Sequence, residues 1–114
     1  MQQKYNREEL NSGRLFYGIK QTLRDKNKKF ISTEFVESGK LYFKIKQFKF
    51  DDFKMYFGID SKVDMKVKTY YVNDLSKNHL IRIDNDYYDI ITIDVDSQKK
   101  YAYLYLQKRG GIDD

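Results

Sequence analysis

The 114-residue chain contains no cysteine, no proline, no tryptophan, one histidine and one alanine. Without cysteine there is no disulfide scaffold, no thiolate metal site and no cysteine nucleophile, which fits a reducing compartment. No apolar run approaches the ~18 residues of a membrane-spanning helix. The opening MQQKYNREEL lacks the apolar stretch of a signal peptide. Six scattered glycines build no phosphate cradle, and no G-x-S-x-G, H-E-x-x-H or G-x-x-x-x-G-K-[ST] pattern occurs. His79 lies in the loop 73–79, which places it at the surface among solvent-facing groups. These absences describe one soluble intracellular domain with no enzymatic machinery, no metal site and no cofactor.

What the chain does have is aromatic and basic. Eleven tyrosines and eight phenylalanines stand against a single alanine, a composition that disfavours a helical bundle and favours strands. Leu, Ile, Val and Phe together number 31, above the ~20% of a chain at which disorder becomes the default. Charge is uneven: residues 1–50 carry 12 Lys/Arg against 5 Asp/Glu, whereas residues 51–114 carry 10 against 12. A basic half beside a mildly acidic half suits a polyanion partner, or head-to-tail packing of unlike faces between copies; the plain alternative is solubility. Lysines outnumber arginines 17 to 5, so the forks that read bases are scarce.

Period-two alternation locates the strands. Val63, Met65, Val67, Thr69 and Tyr71 alternate with Asp64, Lys66, Lys68 and Tyr70. In 101–107, Ala102, Leu104 and Leu106 form one face and Tyr101, Tyr103 and Tyr105 the other. Both faces are partly apolar, so the tyrosines form either an outer contact surface or a second buried layer. Residues 80–84 and 87–94 read as strands around an Asn85-Asp86 turn, and Asp96-Ser97-Gln98 turns the chain into the last strand. Upstream, 30–37 and 40–47 flank Ser38-Gly39, a two-residue hairpin signal. Residues 15–23 form a first strand interrupted by Gly18. Asp51-Asp52, then Phe53, Tyr56 and Phe57 at i, i+3, i+4, then Gly58, describe a short capped helix whose aromatic stripe would plug a barrel end. The expected fold is mainly β: a small antiparallel β-barrel of about six or seven strands with one short α-helix. It would occupy 13–109, between an N-terminal arm (1–12) and a C-terminal tail (110–114).

Two groups of charged side chains are candidates for chemistry. Asp84, Asp86, Asp89, Asp94 and Asp96 cluster around two turns with spacing that could hold Mg²⁺ or Ca²⁺, but they lack the glycine and distal glutamate of a Ca²⁺ loop, and hairpin turns use Asx residues for backbone capping alone. Among the cations, Lys20, Arg24, Lys26, Lys28 and Lys29 crowd one link, and Lys40, Lys44 and Lys46 share a parity opposite Leu41, Phe43 and Ile45. Such a row is a solvated face, or a face toward phosphate. With Tyr42 and Phe43 interleaved, a cytoplasmic barrel binding single-stranded nucleic acid through its basic N-terminal half is the alternative reading.

The segments KVDMKVKTYYVNDLSKNH and NHLIRIDNDYYDIITIDVDSQKKYAYLYLQKRG follow an order: alternating strand, loop, a strand ending in Asp, a turn, a Tyr-x-Ile-x-x-Ile-Asp strand, a turn, and a Tyr-Leu-x-Leu strand. Over roughly 41–110 this resembles the head–tail joining (head-closure) connector proteins of tailed bacteriophages. The resemblance implies a non-enzymatic virion protein, made in the host cytoplasm, that forms a ring at the head–tail interface. There it would close the portal channel after DNA packaging and offer the tail its docking surface. Implied partners are copies of itself, a portal or adaptor protein on the head side, a tail-completion or tail protein on the other, and packaged double-stranded DNA held without sequence preference; no membrane is implied. On this reading Lys26, Lys28, Lys29, Lys40, Lys44 and Lys46 face the channel and DNA, with the Ser38-Gly39 hairpin reaching inward. Tyr101, Tyr103 and Tyr105 then contact the neighbouring subunit.

Overall fold

The structure, a computed structural model, describes residues 10–47 and 63–112. Six strands account for most of them: β1 (Gly13–Arg24), β2 (Phe30–Lys46), β3 (Met65–Tyr70), β4 (Leu80–Ile83), β5 (Asp86–Val95) and β6 (Tyr101–Lys108). Every pairing is antiparallel, and the hydrogen bonding closes into a barrel in the order β1-β2-β3-β6-β5-β4. The mainly β expectation holds, and the described residues include no α-helix. The helix anticipated over Asp51–Gly58 lies outside the described residues.

The alternation found in the sequence sets the inside of the barrel. Leu15, Phe43, Val67, Ile81, Ala102, Leu104 and Leu106 are fully buried, with Tyr17, Tyr88 and Ile90 beside them. Leu75, from the connection between β3 and β4, joins the same core at one barrel end. Thr69 is a fully buried polar residue, and its hydroxyl donates to the Tyr42 carbonyl at 2.8 Å, which removes the cost of an orphaned donor.

The main departure from the sequence reading concerns Ser38-Gly39. These residues do not turn the chain: β2 runs unbroken through them, opposite β1. Tyr17 pairs with Gly39 and Gly18 with Glu37, so Ser38 is the extra residue of a bulge. A side chain at Gly39 would sit 2.5 Å from the Tyr17 hydroxyl, so the glycine exists to let the Tyr17 ring lie over it. The hairpin turn is instead Asp25–Lys29. There the Asp25 carboxylate accepts the backbone N–H of Asn27 and of Lys29, each at 2.8 Å, and Lys28 takes a positive φ of 66°. The tight turn between β4 and β5 also moves by one residue, to Asp84-Asn85, with Asp84 at φ 56°.

One consequence concerns the outline of the fold. β1 pairs with β4 only over Phe16–Gly18, and β2 pairs with β3 only over Phe43–Lys46. Among the described residues, Ile19–Arg24 and Phe30–Val36 pair only with each other, although Phe35 still packs on Arg82 and Tyr87 of the barrel. They leave the barrel as a two-stranded ribbon with the Asp25–Lys29 turn at its tip.

Candidate functional site

Two outer walls of the barrel carry its surface chemistry. The first spans β2, β3 and β6. Register places Lys44 opposite Lys68, Lys46 opposite Lys66, Lys66 opposite Tyr105, Lys68 opposite Tyr103 and Tyr70 opposite Tyr101. Because side chains alternate across a strand, all of these point outward, away from Phe43, Val67 and Leu104. No carboxylate occupies an outward position between Tyr42 and Lys46, between Lys66 and Tyr70, or between Tyr101 and Gln107. The ammonium of Lys66 lies 5.1 Å from the Tyr103 ring centre and 5.2 Å from that of Tyr105; Lys68 lies 4.1 Å over Tyr101, with Lys100 at 5.4 Å. Tyr70 stacks on Tyr101 at 5.6 Å, the rings only 19° apart. Each cation over a ring contributes about 0.5–1 kcal/mol at an exposed site, so the wall is ordered by a lattice of lysines over tyrosines.

The second wall lies across the barrel, on β1, β4 and β5. Arg82 is sandwiched, its guanidinium carbon 4.7 Å from the Phe16 ring centre and 5.4 Å from that of Phe35; Arg14 covers Phe16 at 5.9 Å, and Phe35 tilts against Tyr87 at 5.7 Å. The Arg82 Nε is buried and has no hydrogen-bond partner among the described residues; its contacts there are the two rings, which suit a weakly hydrated planar cation. Asp94 and Asp89 stand on β5 at outward positions, opposite Tyr103 and Gln107.

The lysines singled out in the sequence separate into two places. Lys26, Lys28 and Lys29 sit exposed at the ribbon tip, while Lys40, Lys44 and Lys46 lie along the barrel part of β2, with Lys40 opposite Phe16. Lys44 and Lys46 share their wall with Tyr101, Tyr103 and Tyr105, through β3. Lys66, Lys68, Lys100 and Tyr70 complete that wall and were not singled out. For Lys66, Lys68 and Tyr70 the signal is present in the wet face of the 63–71 alternation, but only the strand order reveals that it meets the tyrosine row. Tyr105 is itself buried at 8% exposure, and Tyr101 and Tyr103 are half-buried.

The aspartates have local work. Asp96 accepts the Lys100 N–H at 2.9 Å in its turn, Asp86 pairs with Lys108 at 3.6 Å, and Asp89 pairs with Arg109 at 2.9 Å. The Arg109 side chain, 8% exposed, also donates to the carbonyls of Gly111 and Ile112 at 3.2 Å each, fastening the chain after β6. His79 is not a plain solvent group. It is half-buried, its Nδ1 accepts the Ser76 N–H at 3.1 Å, and its ring meets Tyr17 edge-on at 5.2 Å. The Tyr17 hydroxyl donates to Asp74 at 3.3 Å, and burial first, then the Asp74 charge, pushes its pKa up.

Comparison with known proteins speaks to the fold alone. No family model and no curated protein matches the chain. Among solved structures, the chain is similar to protein SF1141 from Shigella flexneri 2a, determined in solution. The two share 12% identity with a TM-score of 0.67, over 93% of this chain and 98% of that one. At that identity the likeness is one of architecture, extending over nearly the whole of both chains.

Proposed function

We propose that this protein is a ring-forming connector at the head–tail interface of a tailed bacteriophage, closing the portal channel after packaging and docking the tail. The observation that carries the reading is the pair of unlike walls on opposite sides of one closed barrel. A ring needs a heterologous contact, in which one face of each copy meets a different face of the next. The first wall is lysine and tyrosine without a carboxylate, and the second is arginine, phenylalanine and β5 carboxylates. Tyr101, Tyr103 and Tyr105 are the inter-subunit contact residues of the first wall, tyrosine being enriched where proteins meet. The segment resembling the connectors, roughly 41–110, supplies β3 to β6 and the barrel part of β2, which form both walls apart from β1 and Phe35. The protein has no catalytic role on this reading. Its partners are its own copies, a portal or adaptor protein, a tail protein and packaged DNA, and its place is the virion.

The test is a phage genome carrying the gene with and without a deletion. The reading expects the protein in purified particles, and filled heads without joined tails when it is deleted. Tyr103→Asp should fail to restore joining while Tyr103→Phe restores it. Its absence from purified particles overturns the reading. One observation favours a single-stranded nucleic-acid barrel instead: Tyr42 and Tyr70 are exposed beside Lys44 and Lys68, as stacking platforms are. Against it, lysines already cover the Tyr101, Tyr103 and Tyr105 rings. Quenching of tyrosine fluorescence by single strands, with single strands bound more tightly than duplex, would decide for that barrel.

A further inference from the structure

We propose that two copies of this chain join edge to edge through β2 of the ribbon, forming a four-stranded antiparallel sheet, β1-β2-β2-β1, about a two-fold axis at Thr33. The contact uses the backbone edge of the ribbon instead of the barrel walls, and it closes on two copies where a heterologous contact builds a ring. It therefore does not rest on the connector reading.

The edge itself is the first ground. Among the described residues no third strand pairs with 30–36 of β2, and an edge of this kind offers its N–H and C=O groups to another strand. Proteins ordinarily blunt such edges with lysine or proline. The facing stretch of β1, 19–24, carries Lys20 and Arg24, whereas 30–36 contains no cation and no proline. Phe30 and Ile31 are 56% and 59% exposed there, apolar surface that a second copy would cover.

Residue order along the edge is the second ground. Phe-Ile-Ser-Thr-Glu-Phe-Val reads apolar, polar, apolar from either end. A strand laid antiparallel on its own copy must match itself in reverse, a symmetry that a foreign strand does not require. Pairing about Thr33 sets Thr33 against Thr33, Ser32 against Glu34 and Ile31 against Phe35. Threonine pairs and aromatic rings opposite β-branched side chains are combinations that stabilise neighbouring strands. Phe35 is already held by Arg82 and Tyr87, so Ile31 of the second copy meets a fixed ring.

Charge is the third ground. The same register brings Lys29, the last residue of the turn, opposite Glu37, and both are exposed. The two-fold axis repeats that pair, so opposite charges close each end of the joint. Sliding the register by two residues loses the match: Lys29 then faces Phe35 in one direction, and in the other Gly39, with Glu34 set against Glu34.

Sedimentation equilibrium of the full chain over a wide concentration range tests the proposal. The parent should pass from one chain to two and stop there. Below that transition each ribbon stands alone with fast-exchanging amides; above it, protection should appear within 32–34. Thr33→Lys places like charges on the axis and should weaken the association by about tenfold. Lys29→Glu should weaken it as well, and adding Glu37→Lys should restore it. Tyr103→Asp, on the barrel wall, should leave it unchanged. Circular dichroism of the ribbon variants should match the parent, because none of their altered residues belongs to the core. A single chain at every concentration, assembly beyond two copies, an unaffected Thr33→Lys, or no rescue by the exchanged charges overturns the proposal. Loss of the pair in Tyr103→Asp also overturns it, in favour of contact through the walls.

Discussion

At the scale of single residues, the most constrained spot is where Tyr17 crosses under β2. The bulge at Ser38 comes beside the bare Cα of Gly39, which accommodates the Tyr17 ring, and one residue on, Gly18 approaches the β2 backbone at Val36. A Cβ at Gly18 would run into the carbonyl oxygen of Val36, which is backbone and cannot swing away. Gly18→Ala should therefore destabilise by about 1–3 kcal/mol, read as a lower urea midpoint at unchanged slope. Tyr17 and Tyr88 both have raised pKa values, chiefly through burial, with Asp74 acting on the first and Asp86 on the second. Below the ordinary tyrosine range both hydroxyls are protonated folded or unfolded, and stability is unaffected. As pH climbs past about 10 the unfolded chain loses these protons first, so stability falls until the folded hydroxyls also titrate. Urea midpoints at pH 8 and pH 11 should thus drop less in Tyr17→Phe and Tyr88→Phe than in the parent. Equal drops would place the alkaline transition in other groups.

At the scale of elements, the ribbon should behave differently from the barrel. Among the described residues no third strand pairs with Ile19–Arg24 or Phe30–Val36, and isolated two-stranded ribbons are marginal in water. Amides of Thr22 and Thr33 should exchange with solvent far faster than those of Val67 and Leu104, and trypsin should cut first at Lys26–Lys29. How the ribbon and barrel relate to the sequence is instructive. The strands over 65–70 and 101–108 were legible because one face is dry and the other wet. The Ser38-Gly39 turn was a misreading, since serine and glycine mark turns by their freedom, whereas here the glycine is required by a ring on the neighbouring strand. The real turn at Asp25–Lys29 lacks glycine and relies on an aspartate holding two backbone N–H groups, a pattern that lysine-rich composition hides. Pairings of this kind depend on what lies across the strand, and local spacing does not contain that.

At the scale of the whole molecule, Leu104 is buried at the centre of the barrel, between Val67 and Ile93 on the flanking strands. Leu104→Ala should cost about 2–5 kcal/mol, a large share of the total stability of a domain this size. The wall chemistry was half legible: the lysine parity of 44 and 46 and the tyrosine row of 101–105 stood in the sequence. That β3 brings them together, and that Arg82 lies in an aromatic sandwich on the far side, follows only from strand order. A final consequence comes from the β1–β4 seam, which is held by three residue pairs, Phe16–Arg82, Tyr17–Ile81 and Gly18–Leu80. Those partners are distant in the chain, so closing the loop between them is entropically dear, and this is the join expected to form late in folding. It is also the cheapest to part, because opening it leaves the other five strand pairings whole and turns the cylinder into an open sheet. A bound partner that prefers the flat form could unzip the molecule here, and a cysteine pair at Tyr17 and Ile81 would lock it shut.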